Sequence, residues 1–182
     1  MQRTTSAIKY IMAQDNHDTY NYIDDIVGIE PTLQQARAGF SQLKHLFHEL
    51  GLQESEAKAQ SPSQVITWLG IEFDALAMEI RMPAEKINDT MALLRTWKSK
   101  TRATRNQLQK LLGRLFHMGK TCHCVRLFVS RMLETLRHAP AAGFTTLTTD
   151  FQKDVNWFLH LLTSTDSPID RKSTRLNSSH AN

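Results

Sequence analysis

Residues 19–31, TYNYIDDIVGIEP, restrict the possible folds more than any other stretch of the chain. Two short runs of β-branched and aromatic residues, YNYI and IVGI, flank Asp24 and Asp25, which is the pattern of a tight β-hairpin with both carboxylates at its turn. Adjacent like charges repel. Their placement is either ordinary turn chemistry, for which Asp is well suited, or the beginning of a cation site. Mg²⁺ fits the second case, because it takes oxygen ligands and is usually held by one or two carboxylates with waters and phosphates completing its shell. Paired ions of that kind support phosphoryl and nucleotidyl transfer.

The flanking sequence is mixed in character. Residues 3–13 place Ala7, Ile8, Ile11 and Met12 on one helical face, so the chain begins inside a helix. From Thr32 to Leu50 the spacing of Leu33, Ala36, Phe40, Leu43, Leu46 and Leu50 predicts a second helix, with Pro31 at its start and Gly51 suited to a left-handed end. VITWLGIEFD and MEIRM then read as two strands joined by a short loop, with Gly70 marking a bulge or a close backbone approach. After Pro83 the pattern becomes all-helical. One stripe runs through Ile87, Met91, Leu94 and Trp97, and a second through Leu108, Leu111, Leu112 and Leu115, opened by Thr104 as N-cap. Val125, Phe128, Met132, Leu133 and Leu136 form a third, and Phe151, Val155, Phe158, Leu159 and Leu162 a fourth. The fold class expected is α+β: a mixed piece followed by a helical bundle, with no internal repeat.

Charge divides the chain in the same way. The net charge of +4 conceals a first half, residues 1–94, at −6, and a block from Arg95 to Arg137 that carries 11 basic side chains against Glu134 alone. Such a block is built to meet a polyanion, although a solvated helical face is the plainer alternative.

Several function classes fall away. No apolar run is long enough to span a bilayer and the polar start is no secretory signal, so an intracellular protein with no membrane association is expected. Cys122 and Cys124 are too close for a disulfide framework, and reduced thiols without disulfides are expected. HMGKTCHCVR, with His117, Cys122, His123 and Cys124, offers no second ligand pair at zinc-finger spacing, and HLFHE lacks the spacing of a helical zinc protease. There is no Ser-His-Asp arrangement and no Gly-rich phosphate loop.

Beyond these residue-level readings, the ordered motifs resemble those of reverse transcriptases. YIDD in a hairpin resembles their active-site hairpin, and FSQLKHLFHELGLQESEAK resembles the palm helix and following segment that ends in a lysine, here Lys58. VITWLGIEFD is similar to the primer grip, with Trp68, Leu69 and Gly70 at the matching positions. MPAEK and TRNQLQKLLGRL resemble the thumb of retrotransposon enzymes, particularly the DIRS and gypsy types, and the resemblance runs from about Gln2 to Leu162.

The resemblance implies a partial polymerase palm (YIDD hairpin, helix and primer-grip-like strands) over residues 1–82, a helical thumb over 83–140 and the start of a connection towards a ribonuclease H domain over 141–169. It implies a direct metal-ligand role for Asp24, a more remote carboxylate at Asp25, and Tyr22 near the primer terminus. Lys58 would lie near the incoming deoxynucleoside triphosphate and protonate the pyrophosphate leaving group, unless it is an ordinary exposed lysine. Trp68, Leu69, Gly70, Arg95, Lys98, Arg102, Arg105, Lys110 and Arg114 would contact an RNA or DNA primer–template duplex, and a core role explains Trp68 equally well. The implied cofactor is Mg²⁺. The family's palm supplies another metal-binding aspartate upstream of the hairpin, and Asp15 and Asp18 are too close to it to serve. The expectation is therefore a fragment inactive as a polymerase on its own, with a non-catalytic basic nucleic-acid-binding protein as the alternative. Asp170–His180 resemble the in-frame translation of a DNA-sequencing adapter, so residues 170–182 read as a solvated, artefactual tail without weight in the functional reading.

Overall fold

The computed structural model describes residues 2–55, 58–122, 124–163 and 172–173, and the tail's remaining residues lie outside them. Among the described residues there are seven helices and short antiparallel strands, arranged in two compact units, Met1–Leu69 and Gly70–Asn182.

In the first unit, α1 (Gln2–Gln14) packs against a hairpin of β1 (Thr19–Tyr22) and β2 (Asp25–Gly28), followed by α2 (Leu33–Glu49) and β3 (Val65–Trp68). Asn16, at φ 61°, ends α1 in the left-handed region that Asn tolerates, and the His17 N–H donates back to the Met12 carbonyl at 3.0 Å. Of the face expected on α1, Ile8 and Met12 are buried while Ala7 is exposed. Thr32 caps α2 by accepting the Gln35 N–H at 3.2 Å, and Gly51, at φ 64°, follows the helix as the sequence predicts. The apolar stripe of α2 is less well covered than its periodicity suggests: Leu33 and Leu50 are exposed, and Phe40, Leu43 and Leu46 are half-buried.

The second unit starts with β4 (Ile71–Asp74), antiparallel to β5 (Glu79–Arg81) with Phe73 opposite Ile80. Asp74 shapes their loop by accepting the Leu76 and Ala77 N–H groups at 3.0 and 2.9 Å, an Asx turn. Arg81 donates to Asp74 at 3.0 Å and also to Glu72. The Ala77 N–H and the nearby guanidinium together hold the Asp74 carboxyl below the usual carboxylate range, and Glu72 and Asp74 raise Arg81 further above its own.

Helices α3 (Ala84–Trp97), α4 (Arg105–Met118), α5 (Cys124–Phe128), α6 (Ser130–His138) and α7 (Thr149–Thr163) follow. Their stripes close one core in which Leu94, Leu108, Leu111, Leu115, Val125, Met132, Val155 and Phe158 are all nearly inaccessible. Thr104 caps α4 with a full capping box to Gln107. Asp154, buried on α7, is held by two Arg131 donors, Nε at 3.0 Å and Nη2.

Four expectations are corrected. Gly70 is not inside a strand: with Leu69 it forms the two-residue connection after β3, at φ 71° and 52°. The third apolar stripe is split between α5 and α6 at Val129, leaving Phe128 partly exposed. The chain after Pro83 is not purely helical, since β6 (Arg102–Ala103) pairs with β7 (Thr145–Thr146). Lys172 and Ser173, placed in the tail by sequence, form β8 against β5.

Candidate active site and nucleic-acid interface

The YIDD hairpin closes on the pair Tyr22 and Asp25, so its two-residue loop is Ile23–Asp24. Asp24 therefore lies at the turn as expected. Asp25 is displaced by one position into β2, opposite Tyr22 and on the same face of the ribbon. Ile23 occupies the first loop position at φ 54°, where turns of this length normally take Gly. A β-branched residue there carries backbone strain of order 1–3 kcal/mol, which persists only where the surroundings enforce it.

Those surroundings are polar and specific. Thr5, buried on α1, donates its hydroxyl to the Ile23 carbonyl at 2.9 Å and accepts from the Asn21 amide at 3.2 Å. At the hairpin's open end the Ile29 N–H donates to the Asp18 carbonyl at 2.9 Å, and His17 Nδ1 meets Glu30 Oε1 at 2.8 Å. The imidazole lies over Gly39 of α2, where an added Cβ would come within 2.9 Å of Nδ1. Both ends of the ribbon are thus fixed to helices. Its tip presents Tyr22, Ile23, Asp24 and Asp25 to solvent, and neither carboxylate has a hydrogen bond or ion pair among the described residues.

The other positions in this unit are simpler. Lys58 is exposed in a turn whose backbone N–H donates to the Ser55 carbonyl at 2.8 Å. Trp68 ends β3 half-buried, and Leu69 follows it at positive φ. No group of three or more metal-ligating side chains occurs among the described residues. Two free carboxylates suit Mg²⁺, which commonly takes only one or two from protein.

In the second unit, a groove of about 380 Å³ runs between α3 and α4, lined by Lys86, Lys110, Arg114 and His117, with Asp89 and the side-chain-free Gly113. Gly70 abuts it, since a Cβ there would lie 2.9 Å from Lys86 Nζ. Lys110 and Arg114 were expected from the sequence as duplex contacts; Lys86 and His117 were not. The signal was present on α4, where positions 110, 114 and 117 recur at helical spacing, but nothing in the sequence pairs that face with Lys86 on α3. Arg95 and Lys98 are exposed at the end of α3, and Arg102 is exposed on β6. Arg105 donates to the Ala139 carbonyl at 2.8 Å, tying α4 to the end of α6. Cys122 is a buried free thiol.

No protein-family model and no curated protein matches the chain. Solved structures do. One is a foamy viral protease–reverse transcriptase in complex with double-stranded DNA, with a TM-score of 0.66, 13% identity, and coverage of 88% of this chain and 26% of that one. Another is a foamy viral protease–reverse transcriptase in complex with an RNA/DNA hybrid, with a TM-score of 0.62, 15% identity, and coverage of 87% and 20%. The chain has a reverse-transcriptase-like fold. It spans about a quarter or less of each of those proteins. Within this reverse-transcriptase-like fold, no helix among the described residues is long and apolar enough to cross a membrane.

Proposed function

We propose that the chain is the C-terminal palm and thumb portion of a retroelement RNA-directed DNA polymerase. In the intact polymerase it presents Asp24 and Asp25 to Mg²⁺ and grips a primer–template duplex with its basic helices. The observation that carries this reading is the pair of unpartnered carboxylates at the tip of a strained, helix-anchored hairpin, within a reverse-transcriptase-like fold. Tyr22, opposite Asp25, lies beside the primer terminus, and exposed Lys58 donates a proton to the departing pyrophosphate. Bound there, Mg²⁺ supplies charge stabilisation at the phosphates. The cationic groove of Lys86, Lys110, Arg114 and His117 takes duplex phosphates without reading bases. Two carboxylates do not complete a two-metal site, so the chain by itself does not extend primers.

The test is primer extension by the chain joined to its upstream palm and fingers. Asp24→Asn is expected to reduce Mg²⁺-dependent extension on the order of 10³-fold while leaving duplex binding intact. Extension that survives Asp24→Asn contradicts the assignment.

A second reading, a non-catalytic nucleic-acid binder, draws support from the groove lying wholly within a unit that closes its own core. Duplex binding with no extension by the intact protein would favour it.

A further inference from the structure

We infer that Phe144 is a stacking platform for an unpaired base of single-stranded nucleic acid, flanked by Arg102, which holds an adjacent phosphate. The inference shares its ligand class with the proposed function but rests on residues outside both the hairpin and the groove.

The short β6–β7 ladder pairs Arg102 with Thr146 and Ala103 with Thr145, and the Leu147 N–H extends it by donating to the Thr101 carbonyl at 2.8 Å. Phe144 directly precedes this ladder and follows Gly143, whose φ of 96° few other residues could adopt. The other end of its loop is tied by Arg105 to the Ala139 carbonyl. The ring is therefore held on a braced segment, yet it is 57% exposed and takes no part in the core. Arg102 lies against it, 5.4 Å from the ring centroid. A lone exposed aromatic is ordinary, but this one has an arginine against its ring. Arg102 forms no ion pair among the described residues, whereas the acids of α7 are engaged, Asp150 by Lys153 and Asp154 by Arg131. An exposed aromatic beside a cation free of acids suits a single strand, because its bases expose π-faces that a duplex keeps stacked internally.

The experiment measures fluorescence anisotropy of the full chain with a labelled thymidine oligonucleotide of about 12 nucleotides, an abasic deoxyribose-phosphate oligomer of equal length, and a duplex. The wild type is expected to bind the thymidine strand about tenfold more tightly than the abasic one. Phe144→Ala should erase that preference and leave duplex affinity unchanged, while Phe144→Trp should retain it. Thymidine-strand binding undiminished in Phe144→Ala, or equal binding of both single strands by the wild type, overturns the inference. Failure of duplex binding alone, with the base preference intact, counts against the proposed function and not against this site.

Discussion

The two units solve the problem of staying folded in different ways. Gly70–Asn182 closes a continuous core of leucines, methionines and aromatics from five helices. In Met1–Leu69, Ile8 and Met12 are the large apolar side chains fully buried among the described residues, while Tyr10, Tyr20, Tyr22, Ile23 and Ile29 are exposed. What fixes the hairpin is a handful of polar links: Thr5 to Ile23, Asn21 to Thr5, and His17 to Glu30 over Gly39. The contrast separates tasks. Dense packing supplies a rigid base for the cationic groove, and the thinly packed unit holds two acids in a conformation that packing alone would not select.

The sharpest way to break this comparison is to remove the same kind of core side chain from each unit. Leu111→Ala is expected to destabilise the second unit by about 3 kcal/mol, and Ile8→Ala to open the first unit while leaving the amide protection of α4 and α7 in place. Native-state hydrogen exchange resolves the two. If Ile8→Ala opens both units together, they are a single cooperative body and the distinction fails.

A smaller effect tests the polar anchoring. Thr5→Val removes the hydroxyl that donates to the Ile23 carbonyl, and should cost about 1 kcal/mol, seen as roughly fivefold faster amide exchange around the hairpin turn. Unchanged exchange there would mean that the turn is held by something other than α1.

The smallest expected effect concerns acid. The Asp74 carboxyl is depressed in the folded state, so the stability it contributes is present above its ordinary value near 4 and lost as pH falls through the lower folded value. Below about pH 4, exchange in the β4–β5 loop should accelerate, and Asp74→Asn should remove that dependence. A loop whose exchange tracks pH equally in the variant would leave Asp74 without this role.

Much of this architecture is legible in the sequence because it depends on local chemistry. The alternation around Asp24 and Asp25 marks the hairpin, Thr104 and Gln107 mark the start of α4, and Gly51 marks the end of α2. Other features depend on contacts that no local pattern encodes. Strands of two residues, such as Arg102–Ala103, are too short for any periodicity. The break at Val129 falls within an unbroken apolar stripe, and Leu69 and Ile23 take positive φ against their own preferences. The tip of the candidate site was readable to within one residue, with Asp25 belonging to the strand. The groove was half readable, because Lys110 and Arg114 belong to the basic block while Lys86 lies ahead of it in the acidic half and joins them only through the packing of α3 on α4.

The central claim, that the helical unit grips a polyanionic duplex through its groove, is tested most directly by the salt dependence of duplex affinity. Replacing Lys86, Lys110 and Arg114 together by Ala should weaken binding to every duplex sequence alike and reduce the slope of log K against log salt by about 3. An unchanged slope in the folded triple variant would show that the groove does not meet the phosphates.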